Sequence, residues 1–273
     1  MGSKPASVSR PVPNEEFGVE LVRDWAPEAT PRATVIVLHG IAEHSGRYEG
    51  VGSYLAAAGY HVRSFDLRGA GASGGRRWDI ADWGLYLDQV ERHLRWAREE
   101  SRPVIVYGHS LGATLALDYA LSERAAPDLL VVSAPALEAG AAWQRAVAPV
   151  LARLAPTVSI PNRVEGHVLS RDPAVGDAYF ADPLVHTSST PRFGLHFFKT
   201  MDRVREGLDR LDIPTLVIHG GDDRLVAPES TAPMAEHEVV DRILYPGLRH
   251  ELHNEPEGPK VLADIVEWID RHL

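Results

Sequence analysis

The stretch PVIVYGHSLGATLAL, residues 103–117, decides how this sequence folds. Its first half is a β-branched apolar run that predicts a buried strand, and its second half favours a helix. Between them stands GHSLG, residues 108–112, the G-x-S-x-G pattern in which a tight strand-to-helix turn lifts a serine out of a sheet. Gly108 and Gly112 leave room for such a turn because they carry no Cβ. Ser110 is therefore the candidate nucleophile, at a helix N-terminus whose N–H groups favour developing negative charge.

Outward from this stretch, apolar runs that predict strands alternate with runs that predict helices. Further strands are expected at 17–23, 34–38, 60–65, 129–133, 214–218 and 241–245, and helices at 48–58, 82–99, 141–154, 194–211 and 258–273. Such alternation is typical of an α/β fold with a mostly parallel central sheet and helices on both faces. The strand at 17–23 alternates polar and apolar residues, which favours a place at the sheet edge.

The alternation also suggests the domain boundaries. Residues 1–16 are expected to form a disordered tail, 17–136 the first part of the α/β core, and 194–273 its second part. Residues 137–193 interrupt the alternation with a helical run and a Pro/Asp-rich stretch, without a plausible buried strand. We interpret them as a cap insertion at the carboxyl edge of the sheet, where ligands bind in such folds.

Composition excludes several classes of function. The 28 Lys and Arg against 38 Asp and Glu give a net charge of −10, which argues against binding to nucleic acid or to anionic lipid but not to a neutral lipid. The chain has no cysteine, which excludes disulfides and thiolate–metal sites. No signal peptide or apolar run of membrane-spanning length is found, so a cytoplasmic location is expected.

A serine hydroxyl needs a base within reach, and the base needs a carboxylate that fixes its tautomer. Suitable residues follow Ser110 at two later strand ends. The first end carries Asp222 and Asp223, and spacing does not choose between them. The second carries His250, just past the last strand, with His253 three residues on as the competing candidate. His250 is favoured because it lies at a carboxyl strand end and follows the acid along the chain.

Attack on an ester carbonyl also needs N–H donors for the oxyanion. The natural donors are the backbone N–H of Leu111, after the nucleophile, and that of Ile41, after His39-Gly40 at an earlier strand end. The sequence lacks the motifs of two other kinds of site, a zinc site and a phosphate-binding loop. HELH at 250–253 lacks the H-E-x-x-H pattern of a zinc site, and the glycine-rich loop at 69–74 lacks the lysine of a phosphate-binding loop. We expect no metal and no cofactor.

With these residues in place, the chain resembles the monoacylglycerol lipases, α/β-hydrolases of a lysophospholipase-like group related to serine aminopeptidases. The matching stretches are HGIAEHSGRY at 39–48, GHSLG at 108–112, SAPA at 133–136, SRDP at 170–173, DPLVH at 182–186 and YPGLRHE at 245–251. The resemblance implies Asp223 as the acid, His250 as the base, and Ile41 and Leu111 as the oxyanion hole. One residue departs from the family pattern, because Ala70 stands where the family usually has a histidine.

The resemblance implies a serine hydrolase that converts monoacylglycerol to fatty acid and glycerol through an acyl-enzyme, without a cofactor. The alternatives are a broader carboxylesterase or lysophospholipase and, from another class, a non-catalytic ligand-binding homologue. Intact Ser110, Asp223 and His250 argue against the last. The expected partner is a small lipid ester, and the oligomeric state is not predicted.

The helical run of the cap insertion carries one apolar stripe, formed by Trp143, Val147, Val150, Leu151 and Leu154. The simpler interpretation is that the stripe packs on the cap and on the domain below. The sharper hypothesis makes Trp143, Val147 and Leu151 substrate-binding residues that line an acyl tunnel and touch lipid surfaces transiently at its mouth.

Overall fold

The computed structural model describes residues 5–100, 103–138, 140–162 and 164–273. The strands are β1 (Val8–Asn14), β2 (Gly18–Trp25), β3 (Thr34–Leu38), β4 (His61–Phe65), β5 (Val104–His109), β6 (Leu129–Ser133), β7 (Ile160–Pro161), β8 (Ser188–Ser189), β9 (Thr215–Gly220) and β10 (Val240–Tyr245). The α-helices are α1 (Glu49–Ala57), α2 (Gly84–Glu100), α3 (Leu111–Ala120), α4 (Ala142–Leu154), α5 (Pro173–Ala181), α6 (Pro191–Gly207) and α7 (Gly258–His272). Short 3₁₀ helices lie at Ser45–Tyr48, Gly166–Val168, Leu208–Arg210, Pro228–Glu236 and Leu252–Asn254.

Eight strands form one sheet in the order β1-β2-β4-β3-β5-β6-β9-β10. The pairs β1–β2 and β2–β4 are antiparallel, and the other neighbours in this sheet are parallel. The mostly parallel sheet predicted from the sequence is confirmed. Because parallel strands end at the same edge, the segments that follow β3, β5, β9 and β10 meet there.

Both faces of the sheet are covered, and the two-residue period of the strands sends alternate side chains to each face. In β3, Ile36 and Leu38 join the core beneath α2, α3 and α6, whereas Val35 and Val37 join the core beneath α1 and α7. All four side chains are fully buried. Burial on both faces explains why this strand is a continuous apolar run in the sequence.

The N-terminal region departs from the prediction. Val8–Asn14 forms strand β1, so the expectation of a disordered tail over residues 1–16 is wrong there. Its partner Gly18–Trp25 is an inner strand rather than the edge, because β1 pairs with it on the side away from β4. Pro11 and Pro13 hide this strand from pattern analysis, yet proline is tolerated where an edge strand needs no donor on its outer side.

Between β6 and α6 the chain forms α4, the two-residue strands β7 and β8, and α5. Helix α4 was predicted from the sequence, whereas α5 was not. Helix α6 begins at Pro191 rather than at residue 194, because the Thr190 side chain accepts the Phe193 N–H and proline suits the first helical position. In the described part of the chain, no helix is long and apolar enough to cross a membrane.

Two glycines of α1 offer a matched test of the packing against β2. A Cβ at Gly52 would lie 2.3 Å from ring carbons of buried Trp25, whereas a Cβ at exposed Gly50 would meet nothing within 4 Å. Gly52→Ala should therefore destabilise the fold by about 1–3 kcal/mol through overpacking. Gly50→Ala should be neutral or slightly stabilising because alanine favours helix. Urea unfolding midpoints of the two variants check this, and equal midpoints would contradict it.

Candidate active site

Ser110 lies on the turn between β5 and α3, with a backbone φ of 53° and ψ of −117°. This conformation is strained for a residue with a side chain. The flanking glycines permit it. A Cβ at Gly108 would lie 2.5 Å from the Gly112 carbonyl oxygen, and a Cβ at Gly112 would lie 2.2 Å from the Leu38 carbonyl oxygen. The Ser110 carbonyl accepts hydrogen bonds from the N–H groups of the first turn of α3, so the serine begins that helix.

A histidine–carboxylate pair lies in the neighbouring loops. Nδ1 of His250, after β10, is 2.7 Å from Oδ2 of Asp223, after β9, and both side chains are buried. Asp222, the alternative acid, is exposed to solvent. The alternative base, His253, stacks on Tyr48, and within the described part of the chain neither of its ring nitrogens has a hydrogen-bond partner.

The pair fixes the proton positions. Because a carboxylate only accepts, Nδ1 of His250 carries the proton and Nε2 is left with a free lone pair. Burial alone would lower the pKa of His250, but the charge and hydrogen bond of Asp223 outweigh it and hold the pKa above the ordinary 6.5. Burial would raise the pKa of Asp223, but His250, together with hydrogen bonds from His219 and the Val226 N–H, holds it well below 3.8.

Ser110 and His250 line one cavity together with Gly40, Ile41 and His109. Among the described residues, no hydrogen bond joins the Ser110 hydroxyl to His250. Catalytic hydrogen bonds are often long without substrate, so this geometry is compatible with a nucleophile–base pair. The charged side chains of Glu43, Arg47 and Glu251 also line it. The rest of the wall is mainly apolar and is formed by Ala136, Val164, Leu169, Tyr179, Phe197, Leu225 and Val226.

The two backbone donors predicted for an oxyanion are placed near the serine. Leu111 opens α3, so its N–H has no carbonyl partner within the helix. In the described segments, the Ile41 N–H donates to no backbone carbonyl, and Ile41 lines the serine cavity. The preceding residue packs close, since a Cβ at Gly40 would lie 3.3 Å from the Ser110 Cβ.

Sequence reasoning missed a buried ion network beside these donors. Oε1 of Glu43 accepts the Gly40 N–H at 2.5 Å, and its other oxygen accepts Arg47 at 2.7 Å. Arg47 also forms a bidentate pair with Glu251, at 2.7 and 2.8 Å. Although burial raises the pKa of Glu43, Arg47 and neighbouring groups lower it to about 2. Glu43 and Arg47 both lie in the block HGIAEHSGRY, which could have pointed to the network. The block was used only as a marker of the family.

His219 was also missed, because only His250 and His253 were considered as candidate bases. Its Nε2 lies 3.2 Å from Oδ2 of Asp223 and 3.1 Å from the Val226 carbonyl oxygen. Both neighbours accept, so this nitrogen carries the proton. His219 therefore donates to the same Asp223 oxygen, Oδ2, that His250 contacts.

The predicted substrate-binding residues lie elsewhere. Trp143, Val147 and Leu151 are 66%, 37% and 39% exposed, and none of them lines the serine cavity. The simpler interpretation, in which the stripe on α4 packs on the cap and on the domain below, is wrong, since Val150 and Leu154 are also exposed. The hypothesis that Trp143, Val147 and Leu151 line an acyl tunnel is also corrected, because other residues form the apolar wall of the serine cavity.

Comparison with known proteins shows the family to which the chain belongs. Residues 29–257 match the family described as serine aminopeptidase, S33. A monoacylglycerol lipase of Mycolicibacterium smegmatis is 36% identical over 94% of this chain and 95% of its own length. The crystal structure of Paleococcus ferrophilus monoacylglycerol lipase superposes with a TM-score of 0.83 at 28% identity, covering 92% of this chain and 98% of that one.

A soluble variant of monoglyceride lipase from Saccharomyces cerevisiae shares the fold at 20% identity, with a TM-score of 0.89 over 100% of this chain and 97% of that one. The chain therefore belongs to the serine aminopeptidase S33 family of hydrolases, and its fold is that of the α/β-hydrolases.

Proposed function

We propose that this chain is a serine hydrolase of carboxylic esters that converts monoacylglycerols to fatty acid and glycerol. The observation that carries the proposal is Ser110 on a strained turn, in one cavity with a His250 imidazole that is already bonded to Asp223. The names of the relatives support the ester class, and the apolar wall of the cavity supports an acyl chain.

In the proposed reaction, the Ser110 hydroxyl attacks the ester carbonyl and His250 Nε2 takes its proton. The N–H groups of Ile41 and Leu111 bind the oxyanion that forms. His250 then gives the proton to the leaving glycerol oxygen, which leaves an acyl-enzyme on Ser110. His250 Nε2 then takes a proton from a water that attacks the acyl carbonyl, and returns it to Ser110 Oγ as the fatty acid leaves. Asp223 stabilises the imidazolium in both halves.

The polar end of the cavity favours a neutral headgroup over a phosphate. Glu43, Arg47 and Glu251 line it together, and two carboxylates with one guanidinium leave a net negative charge. Glycerol hydroxyls can donate to carboxylates, whereas the phosphate of a lysophospholipid would be repelled. This charge therefore supports monoacylglycerol over a lysophospholipid as the proposed substrate.

A substrate panel tests the proposed activity. We expect turnover of monoacylglycerol to exceed that of diacylglycerol, triacylglycerol and lysophosphatidylcholine, with short p-nitrophenyl esters also cleaved. Ser110→Ala should lower kcat by about 10³-fold or more because the nucleophile is lost. Fatty acid release measured by titration checks both. Equal turnover of lysophosphatidylcholine would contradict the substrate, and an active Ser110→Ala variant would contradict the mechanism.

The pH dependence tests the acid. His250 must be neutral to act as base, so kcat/KM should fall as pH drops below its raised pKa. Asp223→Asn removes the charge that raises this pKa and leaves burial, which lowers it, so the acid limb should move to lower pH. The same change should reduce kcat by about 10³- to 10⁴-fold. Asp222→Asn is the matched control and should leave both unchanged. An acid limb that stays in place in Asp223→Asn would refute the assignment.

We also propose that α4 touches lipid surfaces transiently. Its exposed apolar side chains form a patch of Trp143, Val147, Val150, Leu151 and Leu154, and Leu154 is 75% exposed. A patch of this kind on one helix is typical of an interaction surface. With a net charge of −10, the chain is suited to neutral rather than anionic lipid.

Trp143→Asp should weaken this contact. Loss of one tryptophan from the lipid contact should lower activity on dispersed long-chain monoacylglycerol by about tenfold, while activity on a dissolved short ester stays unchanged. The control is Leu244→Asp on β10, where an apolar residue that is 43% exposed lies outside the patch. Cosedimentation with phosphatidylcholine vesicles measures binding directly. Full activity of Trp143→Asp on the dispersed substrate would contradict the proposed lipid contact of α4.

A further inference from the structure

The loop that carries His250 is bonded to one short segment of the cap insertion. We call residues 246–255 the histidine loop and residues 167–171 the clamp segment. The Glu251 N–H donates to the Leu169 carbonyl at 2.8 Å, and the Ser170 hydroxyl donates to the Asn254 carbonyl at 3.0 Å. The Arg249 guanidinium donates to the Ser170 carbonyl at 3.0 Å and also to that of His167.

One carboxylate lies at the centre of this contact. The Glu255 side chain has no exposed surface. Its Oε1 accepts the Arg249 N–H at 2.7 Å, within the histidine loop. Its Oε2 accepts the N–H and Nε of Arg171, in the clamp segment, at 3.2 and 3.0 Å. Each oxygen therefore serves a different segment, and the loss of either partner leaves a buried charge less well paired.

These bonds restrain both peptide neighbours of His250. The amide of Arg249 is held by Glu255, and the amide of Glu251 is held by the clamp segment. The Arg249 carbonyl also lies close to β9, since a Cβ at Gly220 would be 2.4 Å from that oxygen. The imidazole must reach both Asp223 and the Ser110 hydroxyl, and small misplacements of catalytic groups are costly.

We propose that Glu255 is a positioning residue for His250 and acts jointly with Arg171, so that the base is aligned only when the clamp segment is docked. This inference rests on the proposed function, in which His250 is the base. Glu255 touches neither substrate nor reacting atoms. It acts through the backbone of Arg249.

Steady-state kinetics on a dissolved short ester test the proposal, because such a substrate does not need the α4 patch. Glu255→Gln and Arg171→Met should each lower kcat by about tenfold with KM within about twofold. Because the two residues act as one unit, the double variant should be no slower than the slower single variant. Arg171→Lys keeps the charge and should restore most of kcat.

Glu257→Gln is the matched control. Glu257 also pairs with Arg171, but its side chain is 46% exposed and its carboxylate does not bond to the histidine loop. Its kcat should equal that of the unaltered protein. Rates are measured well below the unfolding temperature of each variant, so that loss of stability does not enter. Arg171 is partly exposed, so its variants give the answer even where Glu255→Gln does not fold.

An unchanged kcat in Arg171→Met, a rise in KM alone, or an equal loss in Glu257→Gln overturns the positioning role. Each of these results leaves ester hydrolysis by Ser110 intact. An unaltered protein that hydrolyses no ester overturns the proposed function instead, so the two failures are distinguishable.

Discussion

The backbone of Ser110 is the constraint on which the site depends. A residue at φ 53° and ψ −117° is strained by about 1–3 kcal/mol, and the surrounding fold has to hold it there. The Ser110 N–H donates to the Ser133 carbonyl at 2.9 Å, and its carbonyl accepts from the first turn of α3. Strand β6 and helix α3 therefore fix the turn from both sides, and the two flanking glycines keep it free of clashes. This geometry presents the hydroxyl to the cavity.

Buried carboxylates then set the positions of the groups around the serine. Asp223 orients His250, Glu43 holds the turn that bears the Ile41 N–H, and Glu255 holds the loop that bears His250. Arg47 joins the second of these to Glu251, across 204 residues of sequence. Parallel strands bring distant segments to one edge of the sheet, and these ion pairs fix them against one another. Such pairs are costly to break because they are desolvated.

Short sequence patterns predicted the features that depend only on residues close together in the chain. The bounds of β3 and β6 follow from continuous apolar runs, and the Ser110 turn follows from its glycines. Helix α5 was missed although Asp172-Pro173 is a helix-start signal, because its residues lack a clear apolar face. The partners of Glu43 and Glu255 could not be predicted, because side chains far apart in sequence meet only in the fold. The stripe on α4 was visible, but its period does not tell whether anything covers it.

The most direct measurement is a crystal structure of the protein after reaction with a long-chain alkyl phosphonate ester, whose phosphorus mimics the tetrahedral carbon. We expect phosphorus bonded to Ser110 Oγ and a phosphonyl oxygen within hydrogen-bond distance of the Ile41 and Leu111 N–H groups. His250 Nε2 should lie within reach of the serine oxygen. Phosphorus on another residue, or a phosphonyl oxygen directed away from both N–H groups, would contradict the roles proposed for Ser110 and the two N–H donors.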